Sequence, residues 1–210
     1  FGPAGDITST SGTVTIDGDN AGNTANVNMV DGTLIDAGSG IIDVDADVNV
    51  TLGGLQTSGN VNVTAGSGSI MDGGDAHDDI AGGTATLDAA MGIGDGGALE
   101  TAIATLDAST TGAGDIEISE TDAIDLSDVD TANGSISVTA GGQVTATDVD
   151  SSATDDDAND ISITSTGDGI QAVSINAGTM GDVTLNAQSG AITEDSTACL
   201  LYTSPSPRDR

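Results

Sequence analysis

Short phrases that alternate a β-branched or aliphatic residue with a small polar one recur along the whole chain. They include GDITST (5–10), GTVTID (12–17), GNVNVTA (59–65), GDIEISE (114–120), GSISVTA (134–140), NDISITS (159–165) and GDVTLNA (181–187). A period of two sends alternate side chains to opposite faces of a strand, so each phrase reads as a strand with one buried face. Ile and Val occupy the buried positions, as strand propensity favours. Gly, Asp and Asn mark the joins between phrases. Aromatic residues make up only 1% of the chain, so whatever core these strands share is filled by small and aliphatic side chains.

The phrases also repeat over longer distances. ATLDA occurs at 85–89 and again at 104–108, an offset of 19, and Leu87, Leu106 and Leu126 continue that spacing at 19 and then 20. GNVNVTAGSGSI (59–70) matches GDVTLNAQSGAI (181–192) at an offset of 122. A unit of about 20 residues holding two or three short strands is the size of one coil of a β-solenoid. Coils stacked roughly 4.8 Å apart enclose a narrow lumen suited to Ala, Val, Ile and Leu, and about ten of them would form a rod roughly 45 Å long. The expected fold is therefore all-β: a parallel β-helix (β-solenoid) built from coils of about 20 residues. A β-sandwich is the main competitor, but such cores usually carry a buried Trp or Tyr. Disorder is the other, and 36% hydrophobic content with regular alternation exceeds what acidic disordered tails show. One stretch, 94–108 (GDGGALETAIATLDA), has helix-compatible spacing at Ala98, Leu99, Ala102 and Ile103; the repeat of ATLDA favours a strand for its second half.

Charge narrows the function classes. The chain has 34 acidic residues and two basic ones. Both basic residues, Arg208 and Arg210, fall in the closing segment CLLYTSPSPRDR (199–210), with the single Cys (Cys199) and single Tyr (Tyr202). That abrupt change of composition resembles a translated sequencing adapter, so 199–210 is expected to be non-native and 1–198 to be a repeat fragment cut at both ends. Residues 1–198 contain 33 acids and no Lys, Arg or Cys. Nucleic-acid binding and attraction to an anionic membrane surface both need cationic groups that are missing. No apolar run is long enough to span a bilayer.

The phrases GNVNVTAGSGSI, TATLDAAMGIGDGGALETAIATLDA, GDIEISETDAIDL, NGSISVTAGGQVTA and GDVTLNAQSGAI resemble the filamentous-haemagglutinin-like repeats of large bacterial exoproteins and adhesins. The resemblance covers most of residues 5–195. It implies a right-handed parallel β-helix, secreted and displayed at the cell surface as a stalk or adhesin. Host-cell, surface or matrix glycans and proteins would be its partners, and further repeats of the same chain would adjoin it.

Catalysis is not expected. His77 is the only His, no G-x-S-x-G nucleophile elbow occurs, and the Arg or Lys that solenoid polysaccharide lyases generally use is absent from 1–198. No catalytic, cofactor-binding or metal residue is assigned. Calcium is the one ion the composition makes plausible, because hard cations take several oxygen ligands. Its candidate clusters are Asp72, Asp75, Asp78 and Asp79 around a Gly-rich turn; Asp155, Asp156, Asp157 and Asp160; and the alternating row Asp43, Asp45 and Asp47. Around 17–28, Asp17, Asp19 and Gly22 hint at an EF-hand loop, but Ala21 and Asn28 stand where ligands belong. His77 reads as a solvated loop residue. The expected function is a non-catalytic stalk or display segment, with a calcium-dependent extracellular binding module as the alternative.

Overall fold

Each alternating phrase becomes a strand, and the strands stack in register. The computed structural model describes residues 5–19, 22–74 and 77–194. The expected non-native segment 199–210 lies outside the described residues. Among the described residues there are 21 strands and no helix, paired in parallel into stacked coils of a β-solenoid of about eight turns. Among the described residues no helix is long and apolar enough to cross a membrane.

One ladder runs through most of the stack. Val27, Val50, Ile70, Ile93, Ile116, Ile136, Ile161 and Val183 pair in succession, each one coil further along the chain than the last. A second runs through Val14, Ile42, Val61, Ala85, Leu106, Leu126, Ala146 and Ala172. These side chains fill the lumen, and Ile42, Val50, Ile70, Ile93, Leu106 and Ile136 have no exposed surface at all. Fully burying an aliphatic side chain of this size contributes about 1.5–3 kcal/mol, and the repeated rung multiplies that gain. Asp, Thr, Asn and Ser take many of the alternate outward positions.

The stack is shorter than the sequence spacing implies. The longest ladder, from Ile7 through Ile35, Leu55, Ile80, Thr101, Glu120, Ala140 and Ser165 to Ala187, has nine rungs and eight steps, or about 38 Å at the parallel-strand spacing. The reason is that many coils are longer than the spacing of the ATLDA repeat, the extra residues being spent on loops at the corners.

The repeat phrases also mislead about register. Strand Ile80–Ala89 pairs with Leu99–Ala113 so that Ala85 meets Leu106 and Leu87 meets Ala108, two positions out of step with the phrase's own repeat. A slip of two leaves every side chain on its own face, so ATLDA tolerates it. The step from Leu106 to Leu126 keeps the spacing read from the sequence. The longer match, of 59–70 with 181–192, fails differently, because Val61 belongs to the second ladder and Val183 to the first. A strand–glycine corner–strand phrase is a local unit that can serve any corner of the coil. In the 94–108 stretch the helical alternative does not form. Leu99, Thr101 and Ile103 all face inward on a period of two within Leu99–Ala113, and 94–98 is a loop.

Candidate functional site

One corner departs from the regular coil. The chain takes five residues from Val50 to Leu55, ten from Ile70 to Ile80, eight from Ile93 to Thr101 and four from Ile116 to Glu120, although these positions stack on one another. Two successive coils therefore bulge at the same corner. Gly94 lets the second bulge turn: its φ is +77°, and a Cβ there would collide with the Glu117 carbonyl.

Three carboxylates meet inside these bulges. Strand Ile70–Asp72 ends at Asp72, whose Oδ1 accepts a hydrogen bond from Gly74 N at 2.6 Å and opens the first loop. The chain returns at Asp79. Leu55 N donates to the Asp79 carbonyl at 2.8 Å, and Asp79 N donates to the Glu100 carbonyl at 2.8 Å. These bonds fix Asp79 between the coil before it and the coil after. Glu100 N in turn donates to Asp79 Oδ2 at 3.1 Å. Ligand oxygens of Asp72, Asp79 and Glu100 lie within 4.8 Å of one another. Asp79 has no exposed surface, and its Oδ1 is buried without a hydrogen-bond partner. Burial first, then the Asp72 and Glu100 charges, push the Asp79 carboxyl up to about 8, against the pull of the Glu100 N–H.

The four acids named from the sequence thus divide. Asp72 and Asp79 come together, Asp78 is exposed, and Asp75 lies outside the described residues. Glu100 completes the group and was not singled out from the sequence. Its signal was the coil period, since it lies one coil beyond Asp79 and one step along the stack. His77 differs from the solvated loop residue expected. Its ring lies over Gly54, where a Cβ would come within 2.8 Å of Cε1, and both ring nitrogens are buried without partners. It is not part of the carboxylate group.

The other acidic clusters are spent on backbone or spread over the surface. Asp155 accepts hydrogen bonds from Thr179 N at 2.8 Å, Met180 N at 3.0 Å and the Thr179 hydroxyl, and the Thr179 bonds hold its carboxyl below the ordinary value. Asp156 accepts from Ala158 N and Asp160 from Asp182 N, while Asp157 is exposed. These side chains organise loops and do not converge. In the Asp43, Asp45, Asp47 row, Asp45 is exposed on strand Ile42–Ala46 and stacks on Asp17, and Asp47 accepts from Ala25 N at 3.0 Å. Asp17 accepts from Asp19 N at 2.9 Å. Asp19 is raised by desolvation and by the Asp45, Asp47 and Asp17 charges, so these acids repel each other. Ala21 of the EF-hand-like stretch lies outside the described residues.

Two features escaped the sequence reading. Glu120 sits in the lumen, on a ladder running Ile80, Thr101, Glu120, Ala140, Ser165. Its Oε2 accepts from the Thr101 hydroxyl at 2.8 Å and Ile103 N at 3.0 Å, and its Oε1 from Asp122 N at 2.9 Å. Burial raises its carboxyl and those donors pull it back. On the outer surface, Asp107 pairs with Asp128 and Asp130 with Asp150. Desolvation and the neighbouring acids, Asp128 foremost, push Asp130 up to about 6.

Comparison with protein-family models, with curated proteins and with solved structures gives no significant match.

Proposed function

We propose that this chain is a repeat segment of a large secreted or cell-surface bacterial protein, a non-catalytic stalk or display surface. The observation that carries the reading is the unbroken eight-rung aliphatic ladder. A lumen packed rung on rung makes length from a simple repeat and leaves short polar side chains outside, where a partner would meet them. The wholly anionic 1–198 region favours an extracellular setting, where salt and divalent cations screen its self-repulsion. Matrix or host-surface glycans and proteins are the partners that the resemblance to filamentous-haemagglutinin-like repeats suggests.

Rigidity is what a stalk requires, and it is measurable. Spin labels at Asn28 and Thr184, outward neighbours of the first and last rungs, with Cys199 replaced by Ser, report the axial distance. A narrow distribution centred at about 34 Å supports the reading. A broad distribution means a flexible chain and contradicts it. Saturable binding to a glycan or matrix-protein array at 0.15 M salt adds the adhesive role; no binding leaves a spacer alone.

A further inference from the structure

We propose that Asp72, Asp79 and Glu100 form a calcium site that bolts two successive coils together at their bulged corner. The inference stands apart from the stalk reading, and either can fail without the other.

Three acids close together are by themselves only a source of repulsion. The second observation is the Asp79 side chain: wholly buried, with Oδ2 held by a single N–H and Oδ1 facing no donor. A buried polar atom without a partner costs free energy, and a buried carboxylate beside two others costs more. A divalent cation among the three oxygens removes both costs. Opposite ligands of a calcium ion stand roughly 4.6–5.2 Å apart, twice its usual bond length, and the three oxygens lie within 4.8 Å of one another. The donor set is all oxygen, without thiolate or imidazole, which selects a hard cation over transition metals. The surrounding loops contain Gly73, Gly74, Gly94, Gly96 and Gly97. Such loops can adjust to the irregular six- to eight-fold shell of calcium more readily than to the strict octahedron of magnesium. Loop carbonyls and water would complete the shell. The raised proton affinity of Asp79 agrees, since a proton shared with a neighbouring acid is the alternative neutraliser.

The test is calorimetric titration of the full chain, stripped with chelator, with calcium and then magnesium at pH 7.5 and 0.15 M NaCl. Terbium luminescence provides a second readout. One saturable calcium site is expected, with binding at least tenfold weaker in Asp79→Asn and in Glu100→Gln, and unchanged in the exposed control Asp157→Asn. Millimolar calcium should raise the melting temperature of the native chain by several degrees more than that of Asp79→Asn, in which only general screening of the surface acids remains. Asp79→Asn removes a buried repulsion and is expected to fold; Glu100→Gln keeps the test open if it does not. Absence of a saturable site, wild-type binding in both variants, or an equal response to magnesium overturns the proposal.

Discussion

Glu120 and Asp79 are both buried acids, two coils apart, and the fold treats them oppositely. Glu120 receives three hydrogen bonds, from Thr101, Ile103 and Asp122, so its charge is solvated by the repeat itself. Asp79 receives one, from Glu100 N, and faces two more carboxylates. The difference comes from the corner. At Glu120 the coil is at its tightest, four residues from Ile116, and backbone amides are close at hand. At Asp79 the coil bulges, the amides move away, and acids from adjacent coils take their place. A solenoid can thus carry a lumen acid that its own donors satisfy, or an acid corner that they leave unsatisfied.

The largest effect expected is at Glu120. Glu120→Ala strands the buried Thr101 hydroxyl and Ile103 amide, at about 1–3 kcal/mol each, while the amide of exposed Asp122 can turn to water. Chemical denaturation should show a loss of at least about 2 kcal/mol. A loss below about 1 kcal/mol would mean that Glu120 is not the anchor its contacts indicate. Asp79→Asn should do the reverse and raise stability at pH 7 in calcium-free buffer, because the folded chain no longer has to bury a carboxyl whose proton affinity is pushed up to about 8. Destabilisation there would erase the contrast between the two acids.

Smaller effects sharpen the background against which the two sites stand. Gly94→Ala should cost about 1–2 kcal/mol, because Ala resists a positive φ and its Cβ meets the Glu117 carbonyl. A neutral result would mean that the second bulge is not held in its left-handed turn. Asp130 provides the pH dependence. Its folded value is raised from the ordinary 3.8 to about 6, so the native state binds more protons than the unfolded state between those values. Stability therefore falls as pH rises from about 4 to 6, and Asp130→Asn removes that portion of the slope. Solvent screening of this exposed group keeps the effect below about 1 kcal/mol. Thermal melts at pH 4, 5, 6 and 7 for both proteins check the sign. A slope of equal size in the variant would assign the effect elsewhere.

Much of the fold was legible because a period of two and a coil-sized repeat are both written in neighbouring residues. Strands such as Val61–Ala65, Ile136–Ala140 and Ile161–Ser165 fall where their phrases place them. Register was less legible. The lumen accepts any aliphatic side chain of the correct parity, so ATLDA can slip by two without penalty. The candidate site was half visible. Asp72 and Asp79 share a loop and read as a cluster, but Glu100 joins them only through the stacking of Ile80 on Thr101, which depends on the lengths of both bulges. Glu120 was invisible because its phrase, GDIEISE, has the same outline as its neighbours. The Thr101 hydroxyl stacked beneath it, with the Ile103 and Asp122 amides, makes an acid tolerable at that inward position.

Excising one whole coil tests the stacked architecture most directly. Deleting residues 136–160 places Ile161 on Ile116, Ile170 above Ile124 and Ile175 on Val129, because each now succeeds the partner of the residue it replaces. The shortened chain should keep its β-sheet circular dichroism, melt cooperatively and be shorter by about 5 Å along its axis. Deleting only 136–145, part of a coil, should abolish cooperative melting. Loss of folding in the whole-coil variant, or equal tolerance of both deletions, would contradict a solenoid held together by its lumen ladders.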